Sequence, residues 1–281
     1  MIPAHCLYTL HPTLSTIEMG EALMKDLLLC IDVGNTQTVL GIFRGREIIA
    51  RWRIRSDRDR TADEYSHLIK DLLRGDSVDK SSLRGVCVSS VVPPARQALI
   101  DMSISEFDLV PLMVGPGIKT GMPILYDNPR EVGADRIANG VAAYERFRKA
   151  LVVIDFGTAI TFDVISAAGE YIGGVIFPGV QISLDALFLK AAKLPRVELE
   201  KPVNVVGRDT ISSIQSGIIY GYAGLVDSIV ERIHREMGIK ATVVATGGLA
   251  GGISDETSSI SEVIPDLTLE GLRILYERNE S

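Results

Sequence analysis

The chain has 281 residues, a net charge of −7, 46% hydrophobic residues and 23% charged residues. This composition supplies enough apolar side chains for a sizeable core and excludes disorder over most of the chain. The acidic balance argues against a nucleic-acid-binding surface, because phosphate backbones require a clustered basic face. At roughly 100–200 residues per domain, the length favours two domains or one domain of duplicated origin.

The cysteines and the first residues bear on the cellular compartment. Cys6, Cys30 and Cys87 are too scattered for a paired zinc-ligand pattern or a CxxC redox site, which favours a reducing cytoplasm. No window offers the roughly 18 consecutive apolar residues that a membrane span needs, so we expect no membrane association. Strong patterning begins only at Leu27. We predict that residues 1–26 are an N-terminal extension outside the fold, the alternative being a short accessory element packed on the body.

The first predicted elements are a hairpin followed by alternating helices and strands. An apolar run, Leu27–Ile31, leads into the turn at 32–36 and then into a second apolar stretch, Thr38–Phe43, which predicts a strand, a tight glycine turn and a second strand. Apolar residues then recur at helical spacing over 61–73 and 132–148, with a buried strand over 85–92 between them. Strands that alternate with helices predict mixed α/β layers.

The opening strand, turn and strand recur in the second half of the chain. A second apolar run ends in Asp155-Phe-Gly-Thr158, as the first ends in Asp32-Val-Gly-Asn-Thr36. The two segments superpose without a gap at an offset of 123 residues, so that Thr38 matches Thr161. Self-similarity at a period near half the chain indicates two copies of one unit.

We place the boundary between these units just before residue 150, which gives one domain over 27–149 and another over 150–281. In the second domain, apolar residues from Ile211 to Ile233 keep helical intervals of three and four, with Asp209 or Thr210 as the N-cap. Such a long apolar helix lies either in a core or at an interface. A strand over 242–246 and a short C-terminal helix after 265–270 complete the pattern.

The duplicated turns have the residues that a phosphate site needs. Each offers a carboxylate for a hydrated divalent ion, Asp32 or Asp155, and a glycine that lets backbone N–H groups approach an anion. One such turn alone is as readily an ordinary hairpin with an Asx turn. Two copies can face each other across a cleft and hold a polyphosphate from both sides. Neither GxxxxGK[ST] nor GxGxxG is present, so any ATP is bound in another way.

A third candidate segment is Gly133-Ala-Asp-Arg136, at the predicted start of a helix. Asp135 either stabilises the helix N-terminus, by roughly 0.3–1 kcal/mol, or takes a proton from a hydroxyl that attacks phosphorus. Gly133 and Ala134 leave room for a substrate against the backbone. Arg136 either meets an anionic group of that substrate or forms a surface ion pair with Glu131.

In these residues the chain resembles the type III pantothenate kinases, members of the actin-like superfamily that includes sugar and acetate kinases. The resemblance runs from about Leu27 to the C-terminus. Its motifs are Asp32-Val-Gly-Asn-Thr36, Gly133-Ala-Asp-Arg136, Asp155-Phe-Gly-Thr-Ala159, Gly173-Gly-Val-Ile-Phe-Pro-Gly179 and Thr246-Gly-Gly248. It implies two duplicated actin-like, ribonuclease H-like α/β domains that flank a nucleotide cleft.

The resemblance also implies an activity, its cofactors and an oligomeric state. The reaction is ATP-dependent phosphorylation of pantothenate to 4′-phosphopantothenate, the first step of coenzyme A biosynthesis. The cofactors are Mg²⁺ with ATP and a monovalent cation, K⁺ or NH₄⁺, and the active unit is a homodimer.

Site residues follow from the resemblance position by position. Asp135 is the implied proton acceptor, Asp155 the ligand of the monovalent cation and Thr158 a contact of ATP. The implied ATP phosphate loop comprises Asp32, Val33, Gly34, Asn35, Thr36, Gln37, Thr38 and Val39. The implied pantothenate site comprises Tyr126, Gly133, Ala134, Asp135, Arg136 and, from the other subunit, Thr210.

Two other functions compete with this interpretation. One is a kinase of the same superfamily that acts on a sugar or acetate; the cysteine-rich zinc motif usual in repressor-related sugar kinases is missing from this sequence. The other is a nucleotide-binding regulatory or scaffold protein. A scaffold has no need of a base beside a substrate-sized gap, so Asp135 favours the kinase.

Overall fold

The computed structural model describes residues 25–191 and 193–280. Of the predicted N-terminal extension, residues 1–24 lie outside the described residues, and Asp26 forms an ion pair with Arg44 at 3.1 Å. Within the described ranges, no helix has the length and apolarity to cross a membrane.

The first half of the chain builds a five-stranded sheet whose central strand, β1, pairs antiparallel with β2 and parallel with β4. Its strand order is β3-β2-β1-β4-β5. The strands are β1 (Leu27–Val33), β2 (Gln37–Arg44), β3 (Glu47–Arg55), β4 (Leu83–Ser90) and β5 (Leu112–Met113). Helices α1 (Ala62–Gly75) and α2 (Pro93–Phe107) accompany this sheet and contact each other.

The second half repeats this arrangement. The central strand, β6, again pairs antiparallel with the next strand and parallel with a later one, in the order β10-β9-β6-β7-β8. The strands are β6 (Leu151–Phe156), β7 (Ala159–Ile165), β8 (Tyr171–Pro178), β9 (Thr242–Thr246) and β10 (Glu262–Val263). The helices are α3 (Ala134–Phe147), before β6, and then α4 (Val180–Lys190), α5 (Thr210–Met237), α6 (Ala250–Ser254) and α7 (Leu267–Asn279). The same pairing around β1 and β6 agrees with the predicted duplication.

The gap-free superposition of the two hairpins is wrong by one residue. Asp32 pairs with Val39 in the first hairpin, whereas Asp155 pairs with Thr161 in the second. The second turn is shorter, because Gly157 N–H donates to the Ala159 carbonyl, while Gly34 N–H donates to the carbonyl of Gln37. A one-residue change of register moves a side chain to the opposite face of a strand, so Thr38 and Thr161 are not equivalent.

Helix ends follow their capping residues. Of the two predicted caps of α5, the structure selects Asp209, whose carboxylate accepts from Ser212 N–H at 2.9 Å. Helix α3 begins two residues later than predicted, because Val132 is extended and Gly133 is the N-cap. The C-terminal helix begins at Leu267, inside the segment that we expected to precede it, and is 13 residues long.

One hydrophobic core extends between the two sheets. It contains residues of β1 and β6 together with the inner faces of α3 and α7. These two helices pack closely, since a side chain at Gly271 would collide with the Ala138 carbonyl. All strands of the first sheet precede residue 150, and all strands of the second sheet follow it. Helix α7, which also follows residue 150, nevertheless packs against β1 and β4 of the first sheet. The boundary at residue 150 stays a prediction.

Candidate active site

A cleft lies between the two sheets, where β1 and β6 run into their turns. Its walls combine the two hairpin turns with the ends of β9 and α7. It is lined by Asp32, Gly34, Asn35, Gln37, Val39, Arg53, Val91, Asp135, Asp155, Gly157, Thr158, Ala159, Thr161, Thr246, Gly247, Gly248, Pro265, Asp266, Thr268 and Leu269. Residues that are far apart in sequence but belong to the predicted motifs therefore meet in one concave site, the usual form of a small-molecule site.

The two duplicated turns touch across this cleft. Thr36 Oγ1 and Thr158 Oγ1 lie 2.9 Å apart and form a hydrogen bond. Among the predicted phosphate-loop residues, Val33 and Thr38 turn into the core of the first half instead, and Thr38 Oγ1 bonds Ser56 Oγ at 2.8 Å. Neither residue lines the cleft, and the Val33 carbonyl accepts from Val91 N–H at 3.1 Å.

Four carboxylates line the cleft, and one of them, Asp266, forms an ion pair with Arg51. The other three are Asp32, Asp135 and Asp155. Burial, together with the charges of Asp135 and Asp155, raises the pKa of Asp32 to about 8. Burial and the charge of Asp135 also raise the pKa of Asp155 to about 7. Burial raises the pKa of Asp135, although the N–H of Arg136, which donates to Asp135 Oδ1 at 2.8 Å, opposes that rise. Like charges in a partly desolvated site favour either protons or bound cations.

The donor set of the cleft suits hard cations that keep part of their water. In residues 25–191 and 193–280, no three His, Cys, Asp or Glu side chains lie close enough to hold a metal ion by themselves. Mg²⁺ in nucleotide sites is ordinarily bound by one or two carboxylates plus water and substrate phosphates. Asp32 and Asp155 therefore fit a cation that arrives with a polyphosphate.

A hydrogen-bond chain from two helices fixes Asp155. Asn139 of α3, which is fully buried, donates from Nδ2 to Asp155 Oδ2 at 3.0 Å. Thr268 of α7 donates to Asn139 Oδ1 at 2.7 Å, which sets the orientation of the amide. On the other side, Gly247 has φ +96°, and a side chain there would lie 2.6 Å from Asp155 Oδ1. The carboxylate is held rigidly, with bare backbone beside it.

Sequence reasoning missed Arg53, the one cationic side chain that lines the cleft within the described residues. Its guanidinium donates to Gln37 Oε1 at 3.1 Å and lies beside Gly248. Arg53 belongs to strand β3, where Arg51 and Arg55 follow the same alternation. The periodicity of the strand does not distinguish an arginine that faces a cleft from one that faces solvent, so no sequence signal identified it.

Arg136 is buried rather than exposed, which makes the alternative of a surface pair with Glu131 wrong. Its Nε donates to Asp163 Oδ1 at 2.7 Å, and Glu131 instead accepts from Asn128 at 2.7 Å. The ring of Tyr126 packs on the ring of Tyr171, with centroids 6.3 Å apart. Gly133 and Ala134 precede Asp135 at the start of α3, as predicted.

Thr210 is not brought to this cleft within one chain. It lies in the first turn of α5, beside a separate pocket that it shares with Leu187, Arg208 and Ile214. The buried face of α5 carries Ser216, Ile219, Tyr222, Ala223, Val226, Val230 and Ile233. The predicted apolar positions are Ile211, Ile214, Ile218, Tyr222, Leu225, Ile229 and Ile233. Only Tyr222 and Ile233 belong to the buried face, and Ile211 is 50% exposed. Helix α5 therefore packs one face against the core, and a second apolar face is partly exposed.

Solved structures share the fold at low identity. A Campylobacter jejuni chain described as a conserved candidate Baf family transcriptional activator aligns with a TM-score of 0.59 and 17% identity over 89% of this chain and 98% of that chain. The ethanolamine utilization protein EutJ from Carboxydothermus hydrogenoformans aligns with a TM-score of 0.54 and 14% identity over 89% of each chain. The predicted fold class of duplicated α/β units flanking a cleft is confirmed.

Sequence comparison is far more specific. The family model for type III pantothenate kinase matches residues 28–232. A type III pantothenate kinase from Syntrophotalea carbinolica is 58% identical over 254 residues, which cover 90% of this chain and 100% of the relative. One from Moorella thermoacetica is 55% identical over 253 residues, again 90% of this chain and 100% of the relative. This chain belongs to the type III pantothenate kinase family.

Proposed function

We propose that this protein transfers the γ-phosphoryl group of ATP to pantothenate and so makes 4′-phosphopantothenate for coenzyme A biosynthesis. The observation that carries the proposal is that both duplicated turns and Asp135 line one cleft. Family membership supplies the substrate, because the relatives are named type III pantothenate kinases. A pure regulator or scaffold would not require the buried carboxylate of Asp135 in this cleft.

Asp135 is the proposed general base. The primary hydroxyl oxygen of pantothenate forms the new bond to the γ-phosphorus, the bond from that phosphorus to the bridging oxygen breaks, and ADP leaves. The hydroxyl proton passes to Asp135, whose raised pKa brings its basicity closer to what proton transfer at neutral pH needs. In a loose phosphoryl transition state, most of the acceleration comes from positioning and charge stabilisation.

Two cations are proposed to balance the charge of the polyphosphate. Mg²⁺, when bound with ATP, neutralises charge that develops on the phosphates. Asp32 is the proposed carboxylate for this ion, and Asp155, held by Asn139, is the proposed ligand of K⁺ or NH₄⁺. Arg53 adds a positive charge to the wall of the cleft, and the backbone N–H groups of the two turns add the positive ends of their peptide dipoles. Thr158, hydrogen-bonded to Thr36, is the proposed ATP contact from the second turn.

Pantothenate is proposed to lie against Gly133 and Ala134, with Tyr126 beside it and Arg136 at its carboxylate. Burial opposes the charge of Arg136, but the charge of Asp163 and its hydrogen bond outweigh that cost, and the pKa of Arg136 is raised. An arginine is the side chain best suited to a carboxylate, because its planar N–H groups match the two oxygens.

A homodimer is proposed to complete this site with Thr210 from the second copy. The open face of α5 supports this, because side chains placed at Gly217, Gly221 and Gly224 would meet nothing within 4 Å in a single chain. Such a row of small residues lets a second helix approach closely. Consumption of ATP, together with the free, buried thiols of Cys30 and Cys87, supports the predicted cytoplasmic location.

The proposed function is tested by ADP release from purified protein with MgATP, K⁺ and pantothenate. We expect ADP only when pantothenate is present, and the Asp135→Asn protein serves as the matched control. ADP release that is independent of pantothenate, or that needs a sugar or acetate, would contradict the assignment.

A further inference from the structure

A buried cluster behind the pantothenate position joins Arg136, Asp163 and Tyr171. Asp163 is fully buried on β7, and its Oδ1 accepts from Arg136 Nε at 2.7 Å and from the Tyr171 hydroxyl at 2.7 Å. Thr161 donates to Asp163 Oδ2 at 3.3 Å. The Arg136 guanidinium also lies over the ring of Tyr171, with its Cζ 5.8 Å from the ring centroid. The three side chains thus hold one another in place.

One nitrogen of this cluster is buried and has no hydrogen-bond partner in the part of the chain that the structure describes. Arg136 is 7% exposed, and within the described residues its buried Nη2 makes no hydrogen bond. A side chain on Gly174 would come within 2.8 Å of that Nη2, and Gly174 itself is exposed. Bare backbone is therefore all that covers the nitrogen on that side. A charged donor that is buried without an acceptor is costly, so the site is poised for an acceptor from outside the chain.

The held Nε decides where the free Nη2 points. Arginine has a long side chain with large rotamer entropy, and only a fixed guanidinium presents its N–H groups in one direction. Asp163 supplies that restraint, and the Tyr171 hydroxyl keeps Asp163 from turning away. No other side-chain hydrogen bond to the Arg136 guanidinium is formed in the described part of the chain.

We propose that Asp163 and Tyr171 are positioning residues that hold the Arg136 guanidinium so that its free Nη2 binds the carboxylate of pantothenate. The inference rests on the proposed function. It assigns Asp163 and Tyr171 a role in recognising the acid end of the substrate, remote from the hydroxyl that reacts. Neither residue touches the substrate; both act through Arg136.

The test compares the dissociation constants of pantothenate and of its neutral primary amide, measured by calorimetry. We expect wild-type protein to prefer the acid. Asp163→Ala removes both acceptor positions and should reduce that preference about tenfold or more, the effect of losing one charge-assisted hydrogen bond. Asp163→Asn keeps an oxygen that can accept from Arg136 and Tyr171, and should retain most of the preference. The KM for ATP should change little in both variants.

A matched control and a second variant keep the outcomes distinct. Asp227→Ala removes a carboxylate that caps Ser258 and Ser259, and should lower stability without changing the preference for the acid. If Asp163→Ala does not fold, Tyr171→Phe removes a single donor to Asp163 and should reduce the preference a few-fold. An unchanged preference in a folded Asp163→Ala or Tyr171→Phe protein overturns the inference. Wild-type protein that binds no pantothenate instead overturns the proposed function.

Discussion

Thr36 and Thr158, 122 residues apart in the chain, share a hydrogen bond of 2.9 Å between their hydroxyls. Each sits at the tip of one duplicated hairpin, so the two copies of the unit meet at the mouth of the cleft. Phosphate groups bound between the tips would have to replace this contact with hydrogen bonds of their own. We therefore expect the two hairpins to act together on one polyphosphate.

Replacing Asp135 by Asn should slow phosphorylation by roughly 10²–10⁴-fold, the usual contribution of general-base catalysis. The amide preserves the shape of the side chain at the start of α3 but cannot take the hydroxyl proton. Thermal melting and ATP binding should remain close to those of the unmodified protein. Turnover within a few-fold of normal would remove Asp135 from the mechanism.

The stability of the ligand-free protein should fall between about pH 4 and pH 8, partly because of Asp32. Its folded-state pKa is raised to about 8, so the folded protein holds a proton there that the unfolded chain has released. This contribution to stability is complete below the unfolded pKa and is lost as the pH rises through the folded pKa.

The matching measurement is the melting temperature at pH 6 and pH 8 for wild type and Asp32→Asn. The variant should show a smaller drop between these two values, and Asp59→Asn, which changes an exposed carboxylate, should behave like wild type. Equal drops in wild type and Asp32→Asn would show that Asp32 does not titrate in this window.

Activity should require K⁺ or NH₄⁺ and fall steeply in Na⁺ buffer of the same ionic strength. The reason is the proposed role of Asp155 as the ligand of a monovalent cation next to the phosphates. Asp155→Ala should raise the KM for ATP even at saturating K⁺. Rates that are the same in cation-free Tris buffer as in K⁺ would be incompatible with this role.

Mixing two inactive proteins, Asp135→Asn and Thr210→Ala, should restore part of the activity. If Thr210 completes the site of the neighbouring subunit, some mixed dimers contain one site that is free of both changes. Subunit exchange has to be confirmed first, by mass measurement of tagged and untagged copies. No recovery after exchange, or a fully active monomer, would rule out a shared site.

The sequence predicted the duplicated hairpins well, because a buried strand that ends in Asp-x-Gly leaves a strong local pattern. It did not predict their register, because the turn at Gly157 is one residue shorter than the turn at Gly34. Hydrogen bonding within each turn sets the length of that turn, and the order of residue types in the sequence does not reveal this length. Family resemblance supplied the roles of the site residues, which composition and periodicity alone left open.

The hydrogen bonds that hold the site residues in place could not be predicted from the sequence. Asn139 and Asp163 sit in strongly patterned segments, yet their partners, Thr268, Tyr171 and Arg136, come from other elements. The contacts of Asn139 and Arg136 arise only once α3 packs against α7 and the second sheet, and the contact of Tyr171 with Asp163 depends on the register of β7 and β8. For the same reason the burial of Arg136 was not foreseen, since a first-turn arginine is ordinarily solvated.

The most direct test is a competition in which the purified protein, MgATP and K⁺ meet equal concentrations of pantothenate, N-acetylglucosamine, glucose and acetate. Mass spectrometry then identifies which compound has gained a phosphoryl group. We predict phosphopantothenate as the sole phosphorylated product, formed far more slowly with Asp135→Asn. Transfer to a sugar or to acetate, or no transfer to any of the four, would contradict the assignment of this cleft to pantothenate phosphorylation.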